Sequence, residues 1–246
     1  MKKNLRKKLL YFINNKFIQS IIYSPFLDYH QWALLKFVKR ESKKISVYAK
    51  IIDVGAGELR YKKYFDHCTY ISNDLCVGDK EWYFDLIDIK SSIYEIPCEN
   101  ESFDAILCTQ VLEHLEYPEL AFKEFFRILK PGGKLILTAP LGQGEHQVPY
   151  DYFRYTRYGL ESLGARVGLE IKSIEPQGGI FINLEYVLWQ AVVKFVPFRR
   201  IVLVRYFLYI ILLLPKAISS ILFIMLDIFD KKKEYTNNYN CVYEKK

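Results

Sequence analysis

No C-x-x-C pair occurs in this 246-residue chain, and its five cysteines (Cys68, Cys76, Cys98, Cys108, Cys241) are odd in number and scattered. A disulfide framework is therefore not expected, and the cysteines read as small hydrophobes in a reducing compartment. A secretory signal is not expected either. The apolar stretch after the first lysines is broken by Asn14, Asn15 and Lys16, and no small-residue cleavage site follows. Nor is there an unbroken apolar run of the roughly 20 residues that span a bilayer. Ile201–Leu214 contains Arg205, and Pro215-Lys216 separates it from Ala217–Leu226. No internal repeat is present. A cytoplasmic protein is the expectation.

Hydrophobic residues make up 51% of the chain and aromatic residues 16%, on the rich side for a soluble protein. The formal charge of +7 is unevenly placed. Lys2, Lys3, Arg6, Lys7 and Lys8 cluster at the start, and Lys231, Lys232 and Lys233 follow the apolar run. Basic clusters beside apolar segments suit an anionic membrane surface better than nucleic acid, and no nucleic-acid partner is expected. The length fits one α/β domain with additions.

Residues 1 to about 45 read as a helical, basic extension with a break at Ser24-Pro25. Asp28 is an N-cap candidate for a helix reaching about Lys43. From residue 46 to 177 strands and helices alternate, the pattern of a parallel sheet. The strand candidates are Ala49–Val54, Thr69–Asn73, a weak Trp82–Asp88, Asp104–Thr109, Gly133–Ala139 and Leu169–Ile174. A helix over Pro118–Leu129 should bury Leu120, Ala121, Phe125, Ile128 and Leu129, expose Glu119, Lys123, Glu124 and Arg127, and stop at Pro131-Gly132-Gly133. Another helix is expected over Thr156–Val167. Residues 178–235 form an apolar helical insertion broken at Pro197 and Pro215, and 236–246 return to the sheet as a strand near Tyr239–Tyr243. If that strand closes the sheet, the chain must come back to the side it left. Helices lying on a membrane surface, or a shallow hairpin over about 201–230, then fit the tail; packing on the domain or a dimer interface is the competing reading.

The densest chemistry begins at Ile51, in IIDVGAGELR: a buried strand, a turn with Gly55 and Gly57, then a helix-like segment through Tyr64 and Phe65. Such a turn brings backbone N–H groups close to a ligand. With Asp74, SIYEIP (92–97), ESFDAILCTQVLEHL (101–115), FKEFFRILKPGG (122–133) and LILTAP (135–140), it resembles the class I S-adenosylmethionine-dependent methyltransferases, specifically the bacterial type 11 group. The resemblance implies a Rossmann-like, doubly wound α/β fold with a mostly parallel seven-stranded sheet and an antiparallel last strand. It also implies S-adenosylmethionine as cofactor. Gly55, Ala56 and Gly57 would approach its methionine end, with Asp53 bracing the turn. Asp74, beside Leu75, would take the ribose hydroxyls, Ser92 and Ile93 would lie at the adenine, and Gln110 at the end of the fourth strand. Two departures stand out. Leu59 occupies the place of a third glycine, and Ser92 that of an acid, with Asp88 the nearest carboxylate. A nicotinamide-binding domain wants G-x-G-x-x-G, and Arg60 breaks that pattern.

HQVPYDYFRYT, from His146 to Thr156, is the second informative stretch. Related bacterial enzymes encoded among cell-surface glycan genes carry a similar segment, which implies a small-molecule or lipid-linked glycan acceptor. His146 and Asp151 are the candidate bases for an acceptor hydroxyl, and a structural latch with Asp151 on Arg154 is the alternative. Gln110, Glu113 and His114 fall at i, i+3 and i+4, but glutamine is a weak substitute for a carboxylate, so no metal is expected. A catalytically silent methyltransferase-like protein binding a partner at the membrane is the rival to the enzyme reading.

Overall fold

The computed structural model describes residues 24–77, 84–195 and 202–246, the side chains of 195 and 202–210 excepted. The early basic cluster, Trp82 and Pro197 lie outside the described residues. Two compact units are present: Leu34–Gln177 with Thr236–Lys246, and Met1–Ala33 with Gly178–Tyr235.

The first unit is built on a seven-stranded sheet. Its strands are β1 (Lys50–Val54), β2 (Thr69–Asp74), β3 (Ile89–Lys90), β4 (Phe103–Thr109), β5 (Leu129–Pro140), β6 (Leu169–Pro176) and β7 (Asn238–Lys245). They lie in the order β3-β2-β1-β4-β5-β7-β6. The first five are parallel, and β7 runs antiparallel to both β5 and β6. This is the doubly wound sheet with an antiparallel last strand that the resemblance implies.

Alternation along the strands supplies a core on each face. Ile52, Val54, Ile106, Cys108, Leu135 and Leu137 meet Phe122 and Phe125 of α2 (Pro118–Ile128) and Leu160 of α3 (Arg157–Val167). Ile51, Ala105, Leu107 and Ile136 meet Phe65 and the Leu34, Phe37 and Val38 side of α1 (Tyr29–Ser42). Asp28 caps α1 by accepting the Gln31 N–H at 3.0 Å, and Thr156 caps α3 by accepting the Gly159 N–H at 3.1 Å.

Four expectations are corrected. On α2, Leu120 is 40% exposed while Phe122 is fully buried, so the buried stripe is rotated from the expected one. Glu124 is buried rather than facing solvent. It accepts the Ile96 N–H at 2.6 Å and pairs with Arg127, which itself donates to the carbonyls of Ile96 and Cys98 at 2.9 and 2.8 Å. A charge-assisted network of this kind removes the penalty of burying the carboxylate. Third, α2 ends at Ile128 and Pro131-Gly132-Gly133 lies inside β5. The ladder slips there, from Phe103↔Leu129 to Ala105↔Lys134, so the triplet bulges out of register with Gly132 at φ 75°. Finally, Pro215 does not end a helix: α5 (Val202–Asp227) runs through it. The missing proline N–H costs one intrahelical bond, which the packing of α5 on α4 (Ile180–Phe195) outweighs.

Within the second unit a polar cluster joins these two helices. Lys216 pairs with Glu185, Ser220 donates to Glu185 at 2.8 Å, and Trp189 donates to Ser219 at 2.8 Å. Leu184, Leu188, Leu214, Ile218, Leu222 and Met225 are exposed on the same helices. No helix among the described residues is long and apolar enough to cross a membrane.

Candidate functional site

The carboxyl ends of β1, β2 and β4 form one edge of the first unit. Gly55 leaves β1 at φ 72°, and a Cβ there would come within 2.3 Å of the Val111 Cγ2, so both conformation and space demand glycine. The turn is tied to β2. Gly55 and Ala56 donate to the Asn73 carbonyl at 2.9 and 3.1 Å, and Gly57 donates to Asp74 Oδ2 at 2.9 Å. These three N–H groups are therefore held by the protein, contrary to the expectation that they stand bare. The expected helix start is also absent. Turns lead into a three-residue 3-10 segment, Lys62–Tyr64, with Leu59 in the left-handed region at φ 56°. A leucine in that region costs about 1–2 kcal/mol, and the missing third glycine is the sequence's trace of it.

Asp74 is 9% exposed and bridges two turns, with Oδ2 on Gly57 and Oδ1 accepting the Cys76 N–H at 2.7 Å. Each carboxylate oxygen keeps a second lone pair, so the group retains the capacity to take a diol. Leu75 is exposed beside it. Asp53 does not brace the turn: it is buried and accepts the Tyr70 hydroxyl. Burial raises its pKa to about 7; the Tyr70 bond opposes the rise and the nearby Asp74 charge adds to it. Nothing in the sequence signalled Tyr70. Ile93 is buried in the core, and Ser92 accepts the Tyr94 N–H at 3.2 Å. Asp88 accepts from Ser72 through both N–H (2.9 Å) and hydroxyl (2.7 Å), binding the segment before β3 to β2. Gln110 sits at φ 55° with its amide donating to Thr138 Oγ1 and Asn238 Oδ1, both at 3.1 Å.

Past Gln110 comes a second cluster. Glu113 and His114 lie in a 3-10 turn, Leu112–His114, and the loop after β5 folds onto it through Tyr152 and Phe153 N–H bonds to the Glu113 carbonyl at 2.8 and 3.2 Å. Asp151 receives Arg154 on both oxygens at 2.7 and 2.8 Å and the His146 N–H at 2.8 Å. This guanidinium, with the His146 amide, drives the Asp151 pKa far below the carboxylate range. Arg154 also donates to the carbonyls of Gln143 and Gly144 at 2.7 and 2.9 Å. The His114 and His146 rings meet edge to face, 4.8 Å between centroids. Each directs one nitrogen at Glu113 Oε1, at 3.9 and 3.8 Å. Glu113 itself has 0% exposure, and burial pushes its pKa up to about 8. The EH dipeptide drew notice in the sequence, but not the burial of its carboxylate or its meeting with His146.

Residues 52–137 match the family model described as a methyltransferase domain, the type 11 group. Among solved structures the chain is similar to a cyclase, SpnF, at 17% identity, covering 87% of this chain and 81% of that one with a TM-score of 0.54. It is similar to 1,6-didemethyltoxoflavin-N1-methyltransferase from Burkholderia thailandensis at 12% identity, covering 97% and 89%, TM-score 0.54. It also resembles phosphoethanolamine N-methyltransferase 2 from Haemonchus contortus at 14% identity, covering 95% of this chain and 59% of that one, TM-score 0.55. No curated protein matches. At these identities the structural likeness establishes the fold. The matched segment is a methyltransferase domain, and the fold is that of the class I S-adenosylmethionine-dependent enzymes.

Proposed function

We propose that the chain transfers a methyl group from S-adenosylmethionine to a hydroxyl or related group of a glycan or lipid-linked cell-envelope intermediate. The observation that carries the cofactor half is Asp74, a carboxylate fixed by two backbone amides at the end of β2 beside a turn that tolerates only glycine at 55. The cofactor supplies a methyl carbon activated by its positive sulfur. The acceptor's lone pair attacks that carbon in line, the carbon–sulfur bond breaks, and the thioether leaves neutral. Alignment and desolvation contribute most to such a step.

Of the two expected bases, His146 suits the task better than Asp151. Asp151 is saturated by Arg154 and the His146 amide, and a carboxylate of such depressed proton affinity is a weak base. It holds the loop, as the latch reading has it. His146 donates Nδ1–H to the Gly144 carbonyl at 3.0 Å and keeps Nε2 for an acceptor proton. Membrane attachment through α4 and α5 belongs to the same reading. Their exposed apolar side chains and the paired Lys216 fit an interfacial surface flanked by Lys231–Lys233. Labelled methyl groups from the cofactor should appear in fractionated envelope lipids or glycans when the full chain is incubated with them. No transfer into any fraction, by a protein that binds the cofactor, would favour the silent binding protein.

A further inference from the structure

The sequence argues against a metal because Gln110 stands where a first carboxylate would. In the folded chain Gln110 is turned onto Thr138 and Asn238, and a different third donor arrives: His146, from the loop after β5. One ligand-capable atom each from Glu113, His114 and His146 lies within 4.8 Å of the others.

The hydrogen bonds around these groups fix which atoms face inward. Nδ1 of His114 contacts the Tyr150 carbonyl, and Nδ1 of His146 contacts the Gly144 carbonyl at 3.0 Å. A carbonyl only accepts, so each Nδ1 carries the hydrogen and each Nε2 presents a lone pair. Both Nε2 atoms point at Glu113 Oε1. A backbone carbonyl on the outer nitrogen is how proteins orient metal-bound imidazoles. Glu113 adds an independent observation: it is wholly buried, and neither carboxylate oxygen has a hydrogen-bond partner. Three ligand atoms thus converge, and no protein donor among the described residues reaches the Glu113 oxygens, an arrangement that suits a cation displacing the proton burial keeps on Glu113.

We propose that Glu113, His114 and His146 bind one divalent transition-metal ion, with zinc the best match to two imidazoles and one carboxylate. Metal–ligand bonds of about 2.0–2.2 Å put tetrahedral donors about 3.4 Å apart, so loading draws the three donors, which lie within 4.8 Å of one another, together by up to about 1.4 Å. The imidazoles are 15% and 26% exposed, while Glu113 is fully buried beneath them. Such an ion would supply Lewis-acid polarisation of an oxygen ligand, and in the metal-loaded chain that would stand in place of the His146 base proposed for the metal-free one. Metal binding stands apart from methyl transfer and is read directly.

The test uses full-length protein stripped by chelator. Calorimetric titration with zinc should show one equivalent bound, and cobalt should give visible d–d bands of a low-coordinate site. Glu113→Gln and His146→Gln should each weaken zinc binding by about 100-fold or more, while S-adenosylmethionine binding confirms that they fold. Cys68→Ser should bind zinc as the parent does, which separates the site from thiol capture. Substoichiometric zinc, or an affinity unchanged in Glu113→Gln and His146→Gln, overturns the proposal. A variant that no longer binds the methyl donor is replaced by His114→Gln, read the same way.

Discussion

Asp53 holds its proton in the folded chain to about pH 7, while the unfolded chain releases it near the ordinary 3.8. Between those values the folded state binds more protons. The stability this contributes is complete below pH 3.8 and is lost as pH rises through 7, by at most about 1.4 kcal/mol per pH unit. Denaturant melts from pH 4 to 8 should show that slope in the parent and a flatter profile in Asp53→Asn, which can still accept the Tyr70 hydroxyl. Gly55→Ala should destabilise the chain by about 2–4 kcal/mol, from the left-handed backbone and the Val111 collision together. In a Val111→Ala background the collision term falls away and only the backbone cost, about 1–2 kcal/mol, should persist. Glycine at 55 was legible because a tight turn after a strand announces itself. The partner of Asp53 was not, since Tyr70 belongs to another strand and only the sheet brings the two together.

At the scale of elements, the hydrophobic pattern located α2 and all the strands but β3 to within a few residues, because alternation and helical spacing are local signals; the weak strand expected over Trp82–Asp88 is not formed over 84–88, and β3 is Ile89–Lys90 instead. The pattern mistook the outer face of α2. Glu124 and Arg127 look like solvent-facing residues, yet they clamp the carbonyls of Ile96 and Cys98 and the Ile96 amide. Such a bond pattern depends on a segment far away in sequence, so composition cannot reveal it. Arg127→Met should leave Glu124 buried and unpaired, lowering stability by about 3–5 kcal/mol in denaturant titration; a loss under 1 kcal/mol would show the clamp to be dispensable. Lys245 plays a comparable part at the same end of α2, donating to the carbonyls of Phe126 and Leu129 at 2.9 and 2.8 Å. The helix after Gly57 was expected and is replaced by turns, and the left-handed Leu59 is where the regular geometry gives way.

For the whole molecule, the antiparallel last strand was expected only through the family resemblance, and its place between β5 and β6 is set by the fold. The apolar helices carry a prediction at this scale. Full-length protein should float with anionic liposomes, and Leu188→Glu with Leu222→Glu and Met225→Glu should abolish flotation while leaving cofactor affinity intact. Equal failure of parent and variant to float would assign the apolar surface to another partner. The acceptor was beyond the sequence because its candidate groups, Glu113, His114 and His146, come from two separate segments that only the fold unites. The cofactor edge is the firmer claim, and calorimetric titration with S-adenosylmethionine tests it most directly. The account predicts saturable binding by the parent and a loss of about 30-fold or more in Asp74→Ala, as charged hydrogen bonds to the ribose disappear. Absence of binding by the parent, or an affinity untouched by Asp74→Ala, would contradict it.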